Sequence, residues 1–514
     1  MHTIAAARTR LACGSTLQRR VGIIALAALV ALGGRLARAQ GRGPETGVPS
    51  LTPPGQKDPQ PSPGRPLGWR CDGTGIFPDT NPPTEWTPAG RNIRWKTKFD
   101  DPYPWGNAQP VVVGKRLIVF HEPTFMACLD ADTGAILWRK DVNLLWTLKG
   151  AEFDKSWALW QERQQVAEGW RKGEPAAIAR LKELDAILLP KVNLGRGDGC
   201  QTKYLKGYGF ATPVTDGALV YVKNASGVLA AVDPGGDVKW VRDIGYNGGH
   251  SSVASPCLVD GRLLVWNTEE GGKGKTCILS CFEAKTGGLL WKTEPRPNGP
   301  GDGCASPIVL RLRSAPVVLT ACGDIVRAAD GKILAKEVHP QGFSTPPFHD
   351  DTVFFGVNGV VEAVRLSLTD ETVTATPLWK AKPMVDGASS GMYGGQVYYD
   401  GHVYMLQSKG QYSVMEAATG EIKCAKAIHA GKWRSCYANL SIAGGRVYAF
   451  DMDGRGVVVK AGPAGEVLAS NEGLGGGTAS PFFTGDRIYV RNSQRPQMPC
   501  WIYCIEEEKK SASH

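Results

Sequence analysis

The amino-acid sequence predicts an all-β protein: an eight-bladed β-propeller of four-stranded antiparallel blades, with one helical-hairpin insertion between blades 1 and 2. Three observations support this fold class. The 514 residues include 64 glycines and 35 prolines, a composition that suits a chain with frequent turns. A strand–turn–strand pattern recurs eight times, and a second hairpin with an aromatic residue on its outgoing strand usually follows it.

Residues 1–39 have the features of a secretory signal. They contain no acidic residue, an apolar run over 21–32, Ala37-Arg38-Ala39 as a cleavage site, and six arginines: Arg8, Arg10, Arg19, Arg20, Arg35 and Arg38. The apolar run is shorter than the ~20 residues that a spanning helix needs, so we expect cleavage rather than a membrane anchor. The protein is therefore predicted to be exported, periplasmic or extracellular, with no transmembrane segment after signal removal. The general secretory and twin-arginine routes both stay open.

The charge left after cleavage gives no indication of a nucleic-acid partner. Removal of the six signal arginines lowers the formal net charge from +10 to +4. Residues 40–67 then form a Pro/Gly-rich stretch with eight prolines, which predicts a disordered linker. We expect the propeller to occupy residues 68–507, followed by a tail over 508–514.

Each repeat opens with a hairpin. A short apolar strand is followed by a tight turn with Gly or Asp and then by a strand rich in Val, Tyr or Leu. Such turns need a left-handed backbone, which Gly, Asn and Asp tolerate. The eight copies are residues 110–120, 212–222, 255–266, 306–320, 345–356, 395–406, 437–450 and 480–490.

The second hairpin of the repeat is clearest at 129–138 (LDADTGAILW) and 282–291 (FEAKTGGLLW). An acidic residue and Thr-Gly form its turn, and the aromatic residue four positions after the Gly lies on the outgoing strand. We predict that these aromatics cover the neighbouring blade. The structural blade tryptophans are Trp95, Trp138, Trp240 and Trp291.

These turns resemble the PQQ-repeat family, which is quinoprotein alcohol dehydrogenase-like and has an A-x-D-x-x-T-G-x-x-x-W-like signature. The resemblance covers about residues 91–507, is strong in repeats 1 and 3, and implies an eight-bladed ring. Residues 69–75 (WRCDGTG), followed by 92–96 (NIRWK), are also similar to the start of secreted propellers like the BamB outer-membrane assembly lipoprotein.

Ring closure is predicted from the two ends of the repeat array. The eighth repeat ends without an outermost strand, while residues 92–98 are left over before the first repeat. We predict that they complete the last blade, which would cover an edge that otherwise invites aggregation. Trp95 would then take the place of Trp138 and Trp291.

The cysteines are predicted to pack rather than to bind metal. Cys128, Cys281 and Cys504 share one repeat position with Ala231 and Val414, which indicates a small apolar site. Disulfides are permitted in an exported protein, but their pairing is not readable from the sequence.

The helical insertion occupies residues 147–190. Apolar residues recur at helical spacing over 151–171 and 176–189, and Gly173 and Pro175 separate the two helices. Two interpretations stay open. The tryptophans are either the core of a lid on the ring, or Trp157, Trp160 and Trp170 form a partner surface.

The resemblance implies a cofactor that the residues do not support. Quinoprotein dehydrogenases of this family hold PQQ on the channel axis, between a Trp and a disulfide of adjacent cysteines, with a calcium ion and an Asp base. No two cysteines are adjacent in this sequence, and no C-x-x-C-H haem motif occurs. We therefore predict no cofactor and assign no catalytic residue.

Polar residues after the second strand of blades 1 and 3 are candidates for a channel-mouth cluster that binds a cation or sugar. They are His121, Glu122, Asn267, Glu269 and Glu270. Polar loop residues are often simply solvated, and that alternative stays open.

Two functional hypotheses follow. The first is a non-catalytic binding or scaffold module whose partners are envelope proteins or a small ligand at the propeller face, with no nucleic acid. The second is a PQQ- and calcium-dependent oxidoreductase that acts on an alcohol or sugar. The missing cofactor residues favour the first hypothesis.

Overall fold

Eight antiparallel sheets form the blades of a propeller, which confirms the predicted fold class. The computed structural model describes residues 60–99, 108–121, 123–194, 209–245, 253–269, 276–297, 304–339, 344–383, 394–429, 433, 437–476, 479–492 and 500–508. Glu122, Glu270, the predicted signal, residues 40–59 of the linker and most of the C-terminal tail lie outside these ranges.

Two strands precede the first blade, and the strands of each blade then follow in chain order. The early strands are β1 (Ile76–Phe77) and β2 (Ile93–Phe99). Blade 1 contains β3 (Val111–Val113), β4 (Arg116–His121), β5 (Phe125–Asp130) and β6 (Ile136–Asp141). Blade 2 contains β7 (Val214–Thr215), β8 (Val220–Lys223), β9 (Val228–Val232) and β10 (Val238–Asp243).

Blades 3 to 5 repeat this order. Blade 3 contains β11 (Cys257–Val259), β12 (Arg262–Glu269), β13 (Thr276–Glu283) and β14 (Leu289–Lys292), with β15 (Arg296–Pro297) beside β13. Blade 4 contains β16 (Ile308–Leu312), β17 (Ala315–Leu319), β18 (Ile325–Arg327) and β19 (Ile333–Ala335). Blade 5 contains β20 (Phe348–His349), β21 (Thr352–Val357), β22 (Val360–Leu368) and β23 (Val373–Ala381).

Blades 6 to 8 complete the ring. Blade 6 contains β24 (Val397–Tyr399), β25 (His402–Leu406), β26 (Gln411–Glu416) and β27 (Ile422–Ala427). Blade 7 contains β28 (Ser441–Ala443), β29 (Arg446–Phe450), β30 (Gly456–Lys460) and β31 (Val467–Asn471). Blade 8 contains β32 (Phe482–Thr484), β33 (Arg487–Asn492) and β34 (Cys500–Glu506).

The outermost strand of blade 8 comes from the N-terminal side of the chain. Strand β2 pairs antiparallel with β34, and Trp95 lies opposite Cys504. Strand β2 therefore has the position that the predicted closure assigned to residues 92–98. The pairing joins residues about 400 positions apart in the chain and holds the first and last blades together.

The linker boundary needs a correction, because ordered structure begins before Gly68. Leu67 is buried, its N–H donates to the carbonyl of Thr215 at 2.9 Å, and the N–H of Thr215 donates back at 2.7 Å. Both ends of residues 60–67 thus contact the ring, Gln60 on blade 1 and Leu67 on blade 2. Proline composition obscured this boundary, because an extended proline-rich segment can still lie along a strand edge.

A tryptophan on the outermost strand links several blades to the next one. Trp95 packs its ring on Gly134 in the second hairpin of blade 1, where an added Cβ would lie 2.5 Å from the ring. Its indole N–H donates to the carbonyl of Ala131 at 3.1 Å. The tryptophans that pack on a glycine of the next blade in this way are Trp95, Trp138, Trp240, Trp291 and Trp379.

The shared cysteine position lies on the strand next to the tryptophan, directly opposite it in the sheet. Cys128 pairs with Trp138, Cys281 with Trp291, and Cys504 with Trp95. Burial raises the pKa of Cys128 to about 11 and the pKa of Cys504 to about 12, so these thiols are neutral. These three cysteines are packing residues of the blade interfaces.

Side chains at the start of the innermost strands join neighbouring blades around the axis. We call this set the inner ring: Gln109, Thr212, Ser255, Ser306, Thr345, Gly395, Asn439 and Ser480. In most blades the backbone N–H of a ring residue donates to the ring side chain of the next blade, as from Thr212 to Ser255 Oγ at 3.0 Å and from Ser255 to Ser306 Oγ at 2.9 Å. The side chain of Gln109 donates to the carbonyl of Pro481 and so connects blade 1 to blade 8.

The insertion is a helical hairpin. Helices α1 (Gly150–Arg171) and α2 (Pro175–Leu188) are flanked by 3₁₀ turns at Leu144–Thr147 and Pro190–Val192. Among the residues described, no helix is both long enough and apolar enough to cross a membrane.

Substitution of Gly134 tests the contact between the closing strand and blade 1. Gly134 and Gly114 both have positive φ, +74° and +59°, so alanine adds about 1 kcal/mol of backbone strain at either position. Only at Gly134 does the new Cβ overlap neighbouring side chains, those of Trp95 and Thr97 on β2, whereas Gly114 faces open space. We expect Gly134→Ala to lower the free energy of unfolding by about 1–3 kcal/mol more than Gly114→Ala in denaturant titrations. Equal effects would contradict the Trp95 contact.

Candidate functional site

The N-terminal segment crosses one face of the ring, and we call residues 60–86 the plug segment. The N–H of Gly114 in blade 1 donates to Gln60 Oε1 at 2.8 Å, and Asn81 donates to the carbonyl of Gly485 in blade 8 at 2.9 Å. Both blade residues lie in turns between first and second strands. Between these points, β1 pairs in parallel with β28 of blade 7. The plug segment therefore covers the face that carries the first-to-second turns.

The centre of the plug segment is a tight loop with a strained backbone. Arg70 and Cys71 both have positive φ, 54° and 65°, although neither is glycine. The carbonyl of Arg70 accepts hydrogen bonds from Gly73 at 3.1 Å and Gly75 at 3.0 Å. The side chains of Arg70 and Cys71 are both buried. Left-handed non-glycine residues cost of order 1–3 kcal/mol each and persist where the surroundings hold them. The loop is therefore fixed by its contacts with the ring.

Arg70 inserts its guanidinium at a gap in the inner ring. Its Nη2 donates to the carbonyl of Thr74 at 3.1 Å and to the carbonyl of Gln396, and its backbone N–H donates to Gln109 Oε1 at 2.9 Å. The ring residue of blade 6 is Gly395, where an added Cβ would lie 2.1 Å from Asn439 Oδ1 and 3.1 Å from Arg70 Nη1. Burial lowers the pKa of Arg70 to about 9, and the charge of Asp72 opposes this shift.

This arrangement does not fit the cofactor of the quinoprotein dehydrogenases. Calcium needs several oxygen ligands, usually with carboxylates among them. The inner ring offers hydroxyl and amide oxygens, and charged side chains beside it include the cations of Arg70, Lys223 and Arg491. In the part of the chain that the structure describes, no three His, Cys, Asp or Glu side chains converge on a metal-sized site.

His121 is an interior residue, which corrects its predicted place on a channel-mouth loop. It ends β4, is buried, and lies between the rings of Phe99 at 5.1 Å and Phe125 at 5.0 Å. It also contacts Cys500. Burial raises the pKa of this thiol, but Arg491 and His121 outweigh that effect and lower it to about 7.

Asn267 is also buried, on strand β12 between Trp266 and Thr268, and its Nδ2 donates to the carbonyl of Ile244 at 2.8 Å. Glu269 ends the same strand, while Glu122 and Glu270 lie outside the described residues. His121 and Asn267 have equivalent positions in blades 1 and 3, with blade 2 between them. The predicted polar cluster is therefore wrong for these two residues, because the second strands extend further than the repeat pattern indicated.

The root of the helical hairpin has its own apolar core. Trp160 is 1% exposed and packs with Leu145, Leu184 and Leu188 against Ala225 in the second-to-third turn of blade 2. The amide of Asn193 donates to the carbonyl of Ser226 in the same turn at 3.1 Å. This turn and the turns covered by the plug segment lie at opposite ends of the strands. The hairpin and the plug segment therefore occupy opposite faces of the ring.

The three tryptophans of the predicted partner surface differ in exposure. Trp160 is buried, as the interpretation of the tryptophans as a lid core expects and the partner-surface interpretation does not. Trp157 is half-buried, with its ring 5.7 Å from Phe153 and 5.3 Å from Trp146. Trp170 is 44% exposed. The hairpin thus combines a packed root with an exposed outer surface.

Three apolar residues of the hairpin are exposed to solvent. Trp170 lies at the end of α1, and Ile178 and Ile187 on α2 are 45% and 48% exposed. Ion pairs hold the two helices together, with Arg163 Nε 2.5 Å from Asp185 and Arg180 Nε 2.7 Å from Glu162. A packed pair of helices that exposes an aromatic and two aliphatic side chains offers apolar contacts to another protein.

Arg70 is the residue of this site that sequence reasoning missed. The sequence showed WRCDGTG as a lead-in segment, but nothing local indicates that its arginine reaches blade 6. One available signal was the glycine at 395, where most other repeats have Ser, Thr, Asn or Gln. A repeat position without its usual side chain indicates that another group occupies that space.

Comparisons with known proteins agree with this architecture. A family model described as "Outer membrane protein assembly factor BamB" matches residues 200–306 and 278–510. The protein of that name from Moranella endobia (strain PCIT) is 22% identical over 300 residues, which span 56% of this chain and 73% of the relative.

Solved structures of two kinds share the fold. BamB from Moraxella catarrhalis superposes with a TM-score of 0.51 at 14% identity, over 80% of this chain and 98% of that chain. The quinohemoprotein alcohol dehydrogenase from Comamonas testosteroni superposes with a TM-score of 0.54 at 13% identity, over 87% of this chain and 81% of that chain. At these identities the likeness concerns the fold alone.

Alanine substitution of two tryptophans distinguishes the core of the hairpin from its exposed surface. Trp160→Ala removes a fully buried ring and should lower the free energy of hairpin unfolding by about 3–5 kcal/mol. Trp170→Ala, at an exposed position, should change it by less than about 1 kcal/mol. Amide hydrogen exchange of α1 and α2 measures both values. A larger loss in Trp170→Ala would contradict the assignment of Trp160 as the core residue.

Proposed function

The chain belongs to the outer membrane protein assembly factor BamB family, and from this premise we propose that it is an exported, non-catalytic scaffold of the cell envelope. Its partner is an envelope protein that binds the face carrying the helical hairpin. One observation carries the proposal: Trp170, Ile178 and Ile187 are exposed apolar side chains of a hairpin whose root is packed on blade 2.

The two faces of the ring carry different segments of the chain, and this difference supports binding of the partner to one face. The plug segment covers the first-to-second turns and fills a gap in the inner ring with Arg70. The opposite face carries the hairpin, whose packed root leaves its outer residues available without any rearrangement of the ring. Binding to a preformed surface avoids the entropy cost of ordering a flexible segment.

The oxidoreductase alternative has the fold likeness to a quinohemoprotein dehydrogenase in its favour. Against it stand the absence of adjacent cysteines in the sequence and the Arg70 cation beside the inner ring. Dye-linked oxidation of an alcohol or sugar by the purified protein with added PQQ and calcium would support that alternative and overturn the scaffold proposal.

Site-specific photocrosslinking in cells tests the scaffold proposal. A photoreactive amino acid at position 170 should form adducts with an envelope assembly protein, identified by mass spectrometry. The matched control is position 468 on the outer strand of blade 7, where Leu468 is 40% exposed, similar to Trp170. Adducts at position 170 and none at position 468 would support the proposal.

Two results would contradict it. Absence of adducts at positions 170, 178 and 187 would show that the hairpin is not the binding surface. Equal adduct yields at positions 170 and 468 would show that the contact is not specific to the hairpin.

A further inference from the structure

A pocket of about 340 Å³ lies between blades 2 and 3, away from both the hairpin surface and the inner ring. Its walls come from the end of β10 and from the three outer strands of blade 3. The lining residues include Ile244, Val265, Asn267, Ile278, Leu289 and Lys292. Leu289 is 52% exposed, so the pocket is open to solvent beside this residue. Its volume is at the lower end of the range for small-ligand sites.

The pocket contains a buried hydrogen-bond acceptor. Asn267 is 3% exposed, and its Nδ2 donates to the carbonyl of Ile244 at 2.8 Å. This bond fixes the orientation of the amide, because a flipped group would place oxygen against oxygen. Among the residues described, Asn267 Oδ1 has no hydrogen-bond partner. A buried acceptor of this kind is usually satisfied, so a donor from a ligand would be favourable here.

The repeat shows what fills the same space elsewhere in this molecule. His121 pairs with Phe125 in blade 1 as Asn267 pairs with Ile278 in blade 3. The neighbouring outer strand contributes Phe99, four residues after Trp95. At the interface of blades 2 and 3, Ile244 has the same spacing from Trp240.

Between blades 8 and 1 this space is filled by three rings in edge-on and tilted contact. Phe99 and His121 are 5.1 Å apart, His121 and Phe125 are 5.0 Å apart, and the Arg139 guanidinium lies 4.4 Å from the Phe125 ring centre. Between blades 2 and 3 the corresponding residues are Ile244, Asn267, Ile278 and Lys292. Three rings are thus replaced by smaller side chains, while a cationic side chain is kept.

We propose that the pocket between blades 2 and 3 binds a planar ring with an O–H or N–H donor, such as a phenol or an indole. The ring packs against Ile244 and Ile278, where the interface of blades 8 and 1 has Phe99 and Phe125. Its donor binds Asn267 Oδ1, and Lys292 lies where Arg139 stacks on Phe125. This site is independent of the proposed scaffold function, because it shares no residue with the hairpin surface.

Binding of p-cresol, indole and toluene to the full-length protein, measured by ligand-observed NMR titration, tests the proposal. We expect saturable binding of p-cresol and indole. Toluene has the ring of p-cresol without the hydroxyl group, so it should bind about tenfold more weakly.

Two variants locate the site. Ile278→Phe introduces the residue that blade 1 has at this position and should weaken p-cresol binding at least tenfold. Asn267→Leu removes the acceptor and should abolish the preference for p-cresol over toluene. The matched control is Ile136→Phe on the exposed outer strand of blade 1, which should leave binding unchanged.

A competitor distinguishes between two sources of the ring, a tyrosine of a polypeptide and a free small molecule. If N-acetyl-tyrosinamide displaces p-cresol with equal or higher affinity, the ring comes from a tyrosine of a polypeptide. If it competes more weakly, the ligand is a free small molecule. Both results support the proposed ring chemistry.

Three outcomes would overturn the proposal. The first is no saturable binding of p-cresol or indole to the wild-type protein. The second is binding that Ile278→Phe leaves unchanged. The third is equal binding of p-cresol and toluene by the wild-type protein. Should Ile278→Phe fail to fold in a thermal melt, Asn267→Leu and the toluene comparison still decide the question.

Discussion

Closure of the ring by strand β2 is the interaction on which the rest of the structure depends. The antiparallel pairing of β2 with β34 joins the N-terminal side of the chain to the last blade, and Trp95 then packs on Gly134 of blade 1. Each blade otherwise buries its faces only against its two neighbours. A break at this point would expose both faces of the gap to water, so the closing strand affects the whole ring.

The same closure determines which face of the propeller is available for binding. To reach blade 8, the chain first crosses the first-to-second turns as the plug segment, with Arg70 beside the inner ring and β1 on blade 7. The helical hairpin lies on the opposite face, anchored on the Asn224–Ser226 turn of blade 2. The positions where this chain departs from its own repeat, Gly395 and Asn267, are those that receive an additional group or leave a pocket.

Local turn chemistry made the blades predictable from the sequence, because Asp, Thr and Gly at fixed spacing define each second hairpin. The closing strand could be predicted because it was the one strand without a partner. The position of Arg70 could not be predicted, because its contacts with Gln109 and Gln396 join residues that are far apart in the sequence. Helical periodicity also grouped Trp157, Trp160 and Trp170 without showing which of them faces the ring. His121 and Asn267 were misplaced because strands β4 and β12 extend beyond the repeat pattern.

Hydrogen exchange of residues 60–99, measured by mass spectrometry of the native protein, tests the ring closure and the position of the plug segment together. We expect Leu67, Ile76–Phe77 and Ile93–Phe99 to exchange as slowly as Cys500–Glu506 and the inner strands of the blades, because they open only when the ring opens. Exchange of residues 60–99 at the rate of an unstructured chain, with the blades still protected, would contradict both the closure and the plug segment.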